Sequence, residues 1–264
     1  MVNRKKSFWA IVSLCAALYA VAISATAPIP TPWGIGHFRP GVVVPALFAV
    51  VSGPYVAGIG GALGTFLGSL VLSSVGLSNP LLSLVAGVPG NFVGFFLLGW
   101  LARRGGWRMF IAATLVSLMV GNLIAASGVM LFFHYIVPLW AAWPVEVKLA
   151  TILGLTLFWT ATMVPFVLPL VPVMLRALKP FSGRDMLTIP SWTPLKPSEL
   201  VPVSIAASMV LVSIFAVVMF TALGDLMFMK VVSKEVAGWA KILILLSALI
   251  VALFGPLTST IKGR

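Results

Sequence analysis

The chain has 264 residues, 61% of them hydrophobic and 8% charged, with a net charge of +12 and a mean hydropathy of +1.14. A soluble domain carries roughly 25% charged residues, so a soluble globular fold is excluded. The continuous apolar runs also exclude the alternating ~10-residue segments of a membrane β-barrel. The positive charge does not announce nucleic acid: the basic residues cluster at the ends of apolar runs, where positive-inside placement accounts for them. The lone cysteine, Cys15, leaves no internal disulfide and no multi-cysteine metal site.

In chain order, Arg4, Lys5 and Lys6 precede an apolar run over residues 8–27. That run is long enough to span a bilayer, so it reads as a retained helix rather than a cleaved leader. Further runs follow at 41–51, 55–73, 81–101, 107–133, 148–175, 201–223 and 237–254. The second is short, since 11 residues of helix rise only ~16 Å against a ~30 Å hydrocarbon core. It must still count as a crossing, because Arg103, Arg104 and Arg108 belong on the same side as Arg4, Lys5 and Lys6. Eight crossings then put twelve of the 17 Lys and Arg residues on one side, the cytoplasmic one, together with both termini. The expected location is the plasma membrane of a prokaryote.

The expected architecture is all-α: a polytopic transmembrane helical bundle with a six-helix core over 1–178 and an appended two-helix hairpin over 201–264. A cytoplasmic loop at 179–200, with Pro180, Pro190, Pro194 and Pro197, divides them. The first outer loop, 28–40, is rich in proline and glycine, and three alternate prolines favour an extended path.

Several groups of residues could carry function. Gly60, Gly64 and Gly68 line one face of the third run, and Ala16 and Ala20 form an Ala-x-x-x-Ala pair on the first. Small faces of this kind let helix backbones approach closely. His37, Phe38 and Arg39 lie just outside the second run, where the Arg39 guanidinium suits a carboxylate or phosphate and Phe38 and Trp33 could stack on a ring. The alternative for the Trp and Arg is headgroup anchoring. Asn91 and Asn122 place amides in apolar helices, either bonding between helices or lining a polar cavity. Glu146 and Lys148, with Trp140 and Trp143, crowd the loop before the sixth run. Asp225 reads as a helix cap.

No pattern argues for catalysis, a resident metal or a cofactor. Paired carboxylates, Gly-x-Ser-x-Gly, His-Glu-x-x-His and Gly-x-x-x-x-Gly-Lys are all missing from the sequence. No apolar run carries an Asp, Glu, Lys, Arg or His at mid-helix, where proton relays and ion pathways place them. The expectation is a protein that does not drive ion-coupled transport itself but takes energy from a partner.

The segment Phe38-Arg-Pro-Gly-Val-Val-Val-Pro-Ala-Leu-Phe-Ala-Val-Val-Ser-Gly-Pro-Tyr-Val-Ala-Gly-Ile-Gly-Gly-Ala-Leu-Gly-Thr-Phe-Leu-Gly resembles the substrate-binding S components of energy-coupling factor (ECF) transporters. So does the preceding helix, Leu14-Cys-Ala-Ala-Leu-Tyr-Ala-Val-Ala, with the Pro-rich loop after it. The resemblance implies a non-enzymatic bundle that captures a vitamin or similar micronutrient on the outer side. It implies a transmembrane coupling subunit and a pair of ATPases as partners, besides the surrounding membrane lipids. By the same analogy Ala16 and Ala20 contact the coupling subunit, His37, Phe38 and Arg39 form the lid or rim, and Asn91 and Asn122 contribute to substrate binding; Trp143, from the crowded loop before the sixth run, is a further substrate-binding candidate. The last two helices depart from the family's six. A secondary transporter or channel, or a membrane scaffold that binds lipid or protein, are the competing readings.

Overall fold

The structure is a computed structural model. It describes residues 2–26, 29, 31–34, 37–181, 190, 197–230 and 233–260. It is 86% helical, with no strand among the described residues, so the class is all-α. Eight main helices follow the eight apolar runs: α1 Val2–Thr26, α2 Val43–Val51, α3 Pro54–Ser73, α4 Pro80–Ala102, α5 Trp107–Ile136, α6 Val145–Leu178, α7 Pro197–Phe220 and α8 Lys234–Thr260. Six helical segments are long and apolar enough to cross a membrane, and two shorter apolar ones, Pro40–Val51 and Ser204–Phe220, accompany them. The chain is a multi-pass membrane protein. The proline-rich connection expected at 179–200 lies largely outside the described residues.

On α1 the buried residues are Val12, Cys15, Ala16, Tyr19, Ala20 and Ile23. That spacing is one helical stripe, while Leu14, Leu18 and Val21 on the opposite side are exposed. The stripe lies against the glycine face of α3. A Cβ on Gly64 would sit 2.8 Å from the Ala16 carbonyl oxygen, and one on Gly60 would sit 2.7 Å from Cys15 Sγ. The glycines therefore set how closely the two backbones approach. This corrects the assignment of Ala16 and Ala20 to a partner interface. Both alanines are buried inside the chain, at 3% and 9% exposure, because α3 already fills the groove they form.

The short second run behaves as a buried plug. A 3₁₀ turn, Pro40–Val42, leads into α2, whose residues are buried apart from Val44, which is half-buried. Pro40 to Val51 rises only ~18 Å at 1.5 Å per residue. The helix can stop short of both membrane faces because α1, α3, α4 and α6 surround it. Its end groups meet protein instead of lipid, the condition for irregular backbone at membrane depth. The elbow to α3 uses Gly53 at φ +99 followed by Pro54 at the first helical position.

Proline also shapes α4. Pro89 has no N–H to offer the carbonyl one turn back, and the preceding turn, Ser83–Gly87, widens to π geometry, with the Val88 N–H donating to the Ser83 carbonyl. Farther along, α4 meets α5 backbone to backbone: a Cβ on Gly90 would lie 2.6 Å from the Gly121 oxygen. The 34-residue α6 stays helical through Pro165, Pro169 and Pro172. The C-terminal hairpin closes on itself through Ser208 Oγ, which donates to the Ala248 carbonyl at 2.8 Å, and packs against α6.

Candidate functional site

The 28–40 loop is held from below by its aromatic residues. Trp33 is buried at 5% exposure, its ring 5.0 Å from Phe228 and 6.1 Å from Phe158. Gly154 makes the room, since a Cβ there would lie 2.8 Å from the Trp33 ring. Trp33 is thus neither a headgroup anchor nor a stacking platform; it pins the loop to α6 and to the turn after α7. Phe38 sets its ring edge-on to Phe166 at 5.6 Å, and its N–H donates to the Ile29 carbonyl at 2.8 Å. Between these pins the chain delivers His37 and Arg39 to a cavity.

That cavity holds about 280 Å³. Its walls are Gly34, His37 and Arg39, the C-terminal turns of α3 and the N-terminal turns of α4, the 76–79 turn between them, and α5 and α6 through Val129, Phe133 and Trp159. The π turn supplies Ser83, Ala86 and Gly87. A second, narrow compartment of about 20 Å³ continues inward between α4, α5 and α6, lined by Gly90, Asn91, Gly94, Ser117, Gly121, Asn122 and Met163. Helix register orders the two: α4 contributes residues 82–87 to the wide part and 90–98 to the narrow part. Arg39, Ala125 and Trp159 line both and form the floor of the first and the ceiling of the second.

The floor presents two N–H donors, from Arg39 and Trp159. Arg39 Nε and Trp159 Nε1 at the floor, Ser83 Oγ in the wide part and Ser117 Oγ in the narrow part are buried without a hydrogen-bond partner among the described residues. Trp159 is 3% exposed, Ser117 1% and Ser83 9%. The Arg39 guanidinium lies 5.8 Å from the centre of the Trp159 ring. Among the described residues no carboxylate lines either compartment. Buried polar groups are almost always satisfied, and the Arg39 and Trp159 N–H groups at the floor are left to meet whatever enters the cavity.

The two asparagines divide their roles. Asn91 spends both ends on the protein: Nδ2 donates to the Gly87 carbonyl at 2.7 Å, and Oδ1 accepts from the buried Tyr19 hydroxyl at 3.0 Å. It braces the π turn rather than offering a free amide. Asn91→Leu should therefore lower stability by ~1–3 kcal/mol through the stranded Tyr19 hydroxyl, read as a fall in thermal midpoint in detergent, and Tyr19→Phe in the same chain should recover part of it. Asn122 donates to Thr160 Oγ1 at 3.1 Å and to Met163 Sδ at 3.6 Å, and its Oδ1 accepts no bond among the described residues.

The structure does not bring Phe38 or Trp143 into the cavity wall. Phe38 packs behind Arg39 on α6. Trp143 stacks on Trp140 at 4.2 Å and takes the Lys230 ammonium at 5.4 Å, which fixes the turn before α6. Lys148 donates to the Ala141 carbonyl at 2.8 Å in the same turn. Asp225 is not a cap: Thr221 receives the Gly224 N–H, and Asp225 pairs with Lys241 at 3.4 Å. The open groove beside that pair is larger, about 670 Å³; of its two lysines, Lys234 and Lys241, the second is matched by the Asp225 carboxylate.

Trp159, Ser83 and Ser117 escaped the sequence reading. The signal for Trp159 was present: an indole deep inside an apolar run, away from the interfacial position that Trp favours, has an N–H to satisfy. No protein-family model, curated protein or solved structure matches the chain.

Proposed function

We propose that this protein captures a small solute from the extracytoplasmic side of a prokaryotic plasma membrane and passes it on with the help of a partner, as the substrate-binding subunit of an ECF-type importer does. The observation that carries the reading is the one-sided cavity with unpartnered donors at its floor. Its mouth lies with the 28–40 and 74–79 turns. The Arg103–Arg104–Arg108 cluster lies at the opposite end of α4, and cation-rich loops favour the cytoplasm. Both termini then fall on the cytoplasmic side.

Energy would come from elsewhere. The sequence carries no phosphate-cradling loop, and the titratable groups at the cavity are Arg39 and His37, with no chain of carboxylates leading inward. A coupling subunit driven by two ATPases fits this pattern. Its docking surface would be one other than the Ala16–Ala20 stripe, which α3 occupies.

Two assays test the reading. Native mass spectrometry of the full chain, incubated with a small-molecule extract of its host, should show one added metabolite. The same chain alone in proteoliposomes should bind that metabolite without accumulating it, and accumulation should require co-reconstituted coupling subunit, ATPases and ATP. Gradient-driven uptake by the chain alone would overturn the partner-dependent reading in favour of a secondary transporter.

A further inference from the structure

We propose that the solute is a small organic acid, seated with its carboxylate at the floor between Arg39 and Trp159 and its apolar body toward the mouth. This rests on the solute-binding reading above and adds the substrate class and its orientation.

The charge argument comes first. Arg39 is a fixed cation at the junction of the two compartments, and among the described residues no Asp or Glu lines either. A cationic solute would meet repulsion and find no counter-ion. The two floor groups that lack a hydrogen-bond partner among the described residues, Arg39 Nε and Trp159 Nε1, are N–H donors with no acceptor capacity. They call for an acceptor-rich group. A carboxylate presents two oxygens and no hydrogens, whereas a primary amide brings its own N–H groups against theirs.

The count of charges selects among anions. One guanidinium balances one negative charge. A phosphate monoester carries about −1.5 to −2 and would bury charge in excess of the cation beside it. Above the floor the wall is mixed: Ile23, Leu72, Leu82, Val129 and Phe133 give it apolar surface, beside His37, Thr65, Ser69, Ser78, Asn79 and Ser83. The apolar side of that half matches an apolar body. At about 280 Å³ the cavity lies at the small end of ligand sites, which run from ~300 to ~1,000 Å³. A compact monoacid fits this space and a nucleotide-sized cofactor does not.

The test uses the full chain in lipid nanodiscs and two probe pairs, 3-phenylpropanoate with its primary amide and 4-phenylbutyrate with its primary amide, titrated calorimetrically against an empty-nanodisc control. Each acid should bind at least tenfold more tightly than its own amide. Arg39→Gln should erase that preference while leaving the amide's affinity within about threefold. Trp159→Phe, which keeps the ring and removes only the N–H, should weaken the acid severalfold and spare the amide. Amides that match their acids in the unaltered chain, or an acid preference that survives in Arg39→Gln, would overturn the proposal. If none of the four probes binds while the host extract still adds a metabolite, the substrate class is wrong and the solute-binding reading stands. If the extract adds nothing either, that reading falls with it.

Discussion

Ala16→Trp should unfold the core rather than uncouple a partner. Ala16 is 3% exposed, and its carbonyl lies where a Cβ on Gly64 would approach within 2.8 Å. An indole at this position cannot be accommodated unless α1 moves away from α3, which would open the contacts of Cys15, Tyr19 and Ile23 as well. Overpacking a close-packed interior by a few methylenes already costs ~1–3 kcal/mol, and this change adds a bicyclic ring. The expected result is loss of folded protein in a detergent thermal-stability assay, with Ala20→Trp behaving alike. Ala17→Trp, one residue along on the exposed face of α1, should leave the thermal midpoint nearly unchanged. If Ala16→Trp folds with a normal midpoint and loses only partner assembly, the packing of α1 on α3 described above is incorrect.

Ser83→Phe should abolish solute binding, at least a hundredfold in affinity, without comparable loss of stability. Ser83 sits on the widened turn of α4 and faces a cavity of about 280 Å³, so a phenyl ring has space to enter. Its hydroxyl is buried without a partner, and removing an unsatisfied polar group relieves a penalty of ~1–3 kcal/mol. The ring therefore fills the site at little cost to the fold. Binding can be followed calorimetrically and the fold by thermal midpoint. Full-strength binding in a folded Ser83→Phe chain would place the solute elsewhere, with the groove beside Asp225 and Lys241 as the next place to examine.

Much of the bundle was legible because bilayer solvation leaves few alternatives: apolar runs of sufficient length must be helices. The second run was expected to cross on charge grounds, and it forms a short helix, Val43–Val51, enclosed by its neighbours. The cavity was legible only in part. Arg39 stood out as a cation beside a proline-rich loop, and the loop does carry it to the site. Trp33 misled, because an aromatic residue near a membrane face suggests headgroups, and the space that buries it comes from Gly154, over a hundred residues away. The alanine pair misled for a related reason. A small-residue stripe says that a helix approaches closely but not whose helix it is, and here Gly64 answers it within the same chain. Ser83 and Ser117 were invisible because a serine in an apolar helix ordinarily bonds to its own backbone one turn back. Only the fold shows that these two do not.

The most direct measurement is a pair of native mass spectra, of the unaltered chain and of Ser83→Phe, each released from mild detergent after incubation with the same host metabolite extract. The account predicts a single small-molecule adduct on the unaltered chain and bare Ser83→Phe protein of equal thermal midpoint. The same adduct on both proteins, or on neither, would contradict it.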